Sequence, residues 1–126
     1  MITNNDIRQF KKEEPKKLLV YTSQFRYSGP RRLDITARGS DLFAPPWELV
    51  TAYKNGHVSE IEYEKVYREM MRKSYIEFKE GWNRLLEADW TVLVCYCKTD
   101  TFCHRLLLAG YLEKLGAEYK GEIPNI

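Results

Sequence analysis

Five residues on one short stretch of chain carry side chains that could do chemistry: Cys95, Cys97, Cys103, His104 and Arg105. A thiol reacts as its thiolate, which is favoured at the start of a helix and beside cationic groups. Cys103 falls in the first turn of an expected helix, beside His104 and Arg105, and is a candidate nucleophile. His104 would carry or orient a proton, and Arg105 would fork onto a phosphate or a carboxylate. Cys95 is the other candidate thiol, although a cysteine that ends an apolar strand more often packs as a small hydrophobe.

Cys95, Cys97, Cys103 and His104 also make up the four donors that tetrahedral zinc takes. The spacing is poor for it. Cys-x-Cys followed by an adjacent Cys-His lacks paired knuckles, and neighbouring helical side chains diverge by about 100°. No cofactor is therefore expected, with zinc as the minor alternative.

These residues need a strand, a loop and a helix to bring them together. Thr91-Val92-Leu93-Val94-Cys95-Tyr96 is short, β-branched and almost wholly apolar, the pattern of a central strand. Thr101 to Leu115 reads as a helix capped by Asp100 or Thr101 and stopped by Gly116. Lys17 to Ser23 reads as a buried parallel strand that delivers Thr22 and Ser23 at its carboxyl end. A second strand fits Arg32 to Thr36, and a last one Ala117 to Lys120.

Between the strands, Trp47 to Lys54 suits a short helix behind Pro45-Pro46, ended by the turn dipeptide Asn55-Gly56. Ser59 and Glu62 form a capping-box pattern. It opens residues 60–88, one bent helix or two consecutive ones, with Tyr63, Val66, Tyr67, Met70 and Met71 on an apolar face. His57, after the turn, reads as a solvated loop residue.

This order predicts a single compact α/β domain over residues 17–126, with a mostly parallel sheet of about four strands under helical cover. Residues 1–16 are polar and aperiodic and read as a mobile arm. In such folds ligands sit outside the carboxyl ends of the strands, where helix N-termini attract anions.

Charge is concentrated in one place. The net charge of +2 is too small to imply general binding to nucleic acid or membrane. Arg26, Arg31, Arg32 and Arg38, however, share a stretch with no lysine and only one acid, Asp34. Arg31, Arg32 or Arg38 could clamp the anion that meets the helix start. The three cysteines lie too close together for a secreted disulfide framework, and there is no apolar run long enough for a membrane span. A cytoplasmic protein without membrane contact is expected.

Val92 to Cys97, followed by Phe102-Cys103-His104-Arg105-Leu106-Leu107, resembles the signature of family 488 of the domains of unknown function. Leu19 to Phe25 is similar to the first strand of its short bacterial and phage-type members, so the resemblance spans roughly residues 18 to 120. It implies a small α/β fold, a recurring Cys103-His104-Arg105 triplet and a matching Cys95. Many members carry a glutamate where this chain has Cys97, which weakens a four-ligand zinc site. No settled reaction comes with the family.

The resulting expectation is a nucleotide- or nucleic-acid-directed protein, plausibly an enzyme. Cys103 or Cys95 would be its reactive thiol and His104 its proton carrier. Arg105 and Arg38 would clamp the phosphate of a small nucleotide ligand or a nucleic acid. The rivals are a non-catalytic protein that sequesters a small nucleotide and a zinc-stabilised interaction module.

Overall fold

In a computed structural model that describes residues 17–36, 42–96 and 104–123, the apolar runs become one sheet. Its strands are β1 (Leu19–Gln24), β2 (Arg32–Asp34), β3 (Trp90–Cys95) and β4 (Glu118–Glu122), in the order β2-β3-β1-β4. Every pairing is parallel, so all four carboxyl ends lie on one rim. β3 is central, and Val92, Leu93, Val94 and Cys95 are all buried. Burial of consecutive residues shows that both faces of the strand are covered, as parallel sheets require.

The described helices are α1 (Trp47–Lys54), α2 (Glu60–Glu77), α3 (Lys79–Leu86) and α4 (His104–Lys114). The Ser59–Glu62 capping box forms at the start of α2. The long helical stretch divides into two at Phe78, whose φ of −119° and ψ of 43° leave the helical region. Beyond that break Trp82 folds back: its Nε1–H donates to Ser74 Oγ at 2.9 Å, and Ser74 Oγ donates to the Leu42 carbonyl at 2.8 Å. The chain of bonds lets a fully buried indole keep a partner for its N–H.

Tyr63, Tyr67 and Met71, spaced four apart on α2, share one core with Leu108, Ala109 and Leu112 of α4 and with Val20, Leu93 and Cys95 of the sheet. Tyr67 Oη donates to the Phe43 carbonyl at 2.7 Å, so its polar end is also satisfied. The chain is a single α/β domain. Among the described residues no helix is long and apolar enough to cross a membrane. The expected arm, residues 1–16, lies outside the described residues.

β4 runs two residues further than expected and carries an irregularity. Val20 pairs with Tyr119, yet Tyr21 pairs with Gly121 and Thr22 with Glu122, so one extra residue enters β4 at Lys120. Successive strand residues alternate between faces. The extra residue therefore puts Tyr119 and Glu122 on the same side as Val20 and Thr22, which is the side of the shared core. Gly121 has φ +115°, where an L side chain is strained, and a bulge is where glycine suits a strand.

A Cβ added at Gly121 or at Gly110, in mid-α4, would meet nothing within 4 Å, so substitution at either site isolates the backbone. Gly121→Ala is expected to destabilise the fold by about 1–3 kcal/mol. Gly110→Ala should stabilise it by about 0.5–1 kcal/mol. Urea unfolding of both variants checks this; two shifts of the same sign would contradict the bulge geometry.

Candidate functional site

Three strand ends and the start of α4 meet at the carboxyl rim. His104 and Arg105 are its first two described residues, and both are buried. Neither points into solvent. Each reaches back to a different part of the sheet and fixes the helix over it.

Arg105 is 1% exposed. Its Nε and Nη2 donate to the two carboxylate oxygens of Glu122 at 3.2 and 2.9 Å, and its Nη1 donates to Cys95 Sγ at 3.1 Å. The fork expected for a phosphate or a carboxylate is thus closed on a carboxylate of the chain itself. One planar cation links the end of β3, the end of β4 and the first turn of α4. Its bidentate geometry is the arrangement in which arginine and carboxylate interact most strongly. The same cation thus holds the Cys95 sulfur in place beside it.

His104 Nε2 bonds to the Ile35 carbonyl, just past β2, while the Ile35 N–H donates to the Val94 carbonyl of β3. A carbonyl can only accept, so Nε2 carries the proton. Asp34 Oδ1 accepts from the Thr36 N–H and closes the turn that presents Ile35. Burial pushes the His104 pKa below 6.5 and the neighbouring Arg105 adds to this, while Cys95, the Ile35 carbonyl and Asp34 pull the other way. The ring is held neutral, as an anchor between β2 and α4.

Thr22 and Ser23 are fully buried at the end of β1. Thr22 Oγ1 shares a 2.6 Å hydrogen bond with Tyr119 Oη, and Ser23 Oγ donates to the Ile123 carbonyl at 3.0 Å. Thr22 pairs with Glu122 and so belongs to the same rim. Both hydroxyls bind the end of β1 to β4 and the residue that follows it.

The arginines of the preceding loop part company. Arg31 has φ 61° and turns toward the amino end of β3, over the Trp90 ring at 5.7 Å and 3.9 Å from Asp89. It is not brought to the carboxyl rim. Arg32 lies on the Phe25 ring at 4.5 Å and bonds to the carbonyls of Phe25 and Tyr27. Cys97, Cys103 and Arg38 lie outside the described residues, as do Asp100 and Thr101.

The structure therefore unites Cys95, His104, Arg105 and Thr22, and adds Glu122 and Tyr119, which the sequence reading did not single out. The glycine inside an otherwise strand-like Glu118–Glu122 was the available signal for a bulge there. Among the described residues no group of three or more His, Cys, Asp or Glu is arranged to hold a metal ion.

The depressed histidine makes stability depend on pH. Below about pH 6.5 the unfolded chain takes up a proton that folded His104 resists, so stability falls as the pH drops through that value and is level above it. An NMR titration of the ring is expected to give a midpoint below 6.5. A midpoint at or above it would contradict a buried neutral anchor.

Comparison with curated proteins finds no match. The family model described as the active DUF488-N3 subclade matches residues 9–116, a span that includes Cys95, His104 and Arg105 and stops short of Glu122. With most of its length matched, including β3 and α4, the chain belongs to the DUF488 family of domains of unknown function.

Proposed function

We propose that the protein is an enzyme acting on a nucleotide or nucleic acid, with Cys103 as its reactive thiol and the carboxyl rim of the sheet as its working edge. The observation that carries this reading is that His104 and Arg105 are both committed as buried anchors to Ile35, Cys95 and Glu122. Two adjacent polar residues held in this way fix the helix start firmly, and Cys103 is one peptide bond away. Catalytic groups need that kind of support from a rigid scaffold.

The geometry also shifts the roles expected from sequence. Cys95 is 1% exposed and packed in the core, which suits a positioning residue better than a nucleophile. Arg105 is closed on Glu122, so the anion clamp falls to Arg38, with a small phosphorylated ligand or a nucleic acid as partner. The description of the matched subclade as active fits an enzyme. A reactive thiol also fits a reducing, cytoplasmic setting.

The burial of Cys95 favours a second reading, a non-catalytic protein that sequesters a small nucleotide and needs no reactive thiol. Timed alkylation with mass mapping separates the two. Fast labelling at Cys103, lost in Cys103→Ser, with Cys95 protected until unfolding, is the expected outcome. Native protein with no fast thiol that still binds a phosphate ligand would favour the binder, and fast labelling of Cys95 would contradict the assignment of roles.

A further inference from the structure

One exposed feature of the rim is not used by this reading. The β1–β3 register ends with Gln24 paired to Cys95, and Phe25 and Tyr96 are the next residues of the two chains. Their rings stack at 4.2 Å between centroids and 22° between planes. Arg32 lies on Phe25 as well, with its guanidinium carbon 4.5 Å from the ring centre. Arg32 is held in place by hydrogen bonds from Nε to the Tyr27 carbonyl at 2.9 Å and from Nη2 to the Phe25 carbonyl at 3.2 Å.

Large aromatic side chains are usually placed where they can be covered. Tyr96 has Phe25 on one face and is still 70% exposed, so its other face is open to water. The segment that carries Phe25 is basic: Arg26 and Arg32 are exposed, and residues 25–32 contain no acid. The first acid after that segment, Asp34, accepts from the Thr36 N–H.

We propose that the Phe25–Tyr96 stack is a platform for one base of a single-stranded nucleic acid, with Arg26 meeting the adjoining phosphate. Open aromatic rings flanked by arginine are the recognition chemistry of single strands, because every base has a π-face and every nucleotide a charge. A free nucleotide fits less well, since a platform without walls holds a single base only weakly, whereas a strand adds backbone contacts. This inference rests on the nucleic-acid side of the proposed function and names its substrate class.

The test is fluorescence anisotropy of the full chain with a labelled oligothymidylate of about twelve nucleotides at low salt. Tyr96→Leu is expected to raise Kd roughly tenfold, and Tyr96→Phe to leave it unchanged. Arg26→Ala should weaken binding and reduce the salt slope by about 1. No binding by the parent protein, equal binding by Tyr96→Leu, or thymidine monophosphate binding as tightly as the oligomer would each overturn the platform. Alkylation of Cys103 in the same variants reads the enzyme proposal separately: a fast thiol together with a failed platform would leave that proposal standing.

Discussion

A guanidinium that is 1% exposed has lost nearly all its water and must recover those hydrogen bonds and that charge balance from the protein. Arg105 recovers them from Glu122 and Cys95, at the ends of two strands that are not neighbours in the sheet. β1 lies between them. The cation therefore sets the separation of three strand ends and the position of the helix above them, and an error in any one element would leave a charge buried without its partner. Such a failure is strongly destabilising, so the contact selects one arrangement of the rim.

The rest of the fold can be read as meeting that requirement. The extra residue at Lys120 and the positive φ of Gly121 bring Glu122 to the helix-covered side of β4. Thr22, Tyr119 and Ser23 fasten the end of β1 to the same strand. His104 adds an anchor of different character, a neutral ring bonded to the carbonyl that follows β2. Together the two residues hold the first turn of α4 against the ends of β2, β3 and β4. In the Cys103-His104-Arg105 triplet, which looks like an active-site cluster in sequence, the second and third members are thus buried structural supports.

Much of the architecture was legible because it depends on local patterns. The β-branched run before Cys95, the Ser59–Glu62 box and the four-residue spacing of Tyr63, Tyr67 and Met71 each mark an element by its own composition, and each forms. The site was legible only in part. Cys95, His104 and Arg105 do come together at the rim, but the choice between a ligand-binding and a buried arginine depends on Glu122, seventeen residues further on, and on a bulge that reverses its face. Pairing of that kind is set by tertiary register, which residue types alone do not encode. Arg31 diverges for a related reason: its left-handed backbone directs it to the opposite end of β3, although it is adjacent in sequence to Arg32.

The central claim is that Arg105 and Glu122 act as a unit, and a double-mutant cycle measures that directly. Glu122→Leu is expected to cost roughly 3 kcal/mol in urea unfolding, because it leaves Arg105 buried without its counter-charge. Arg105→Met is expected to cost roughly 2 kcal/mol, because Glu122 is 20% exposed and recovers some of its water. The double variant should cost far less than the sum, with a coupling of about 2 kcal/mol or more. Additive losses would show that the two side chains do not depend on one another and would contradict the account.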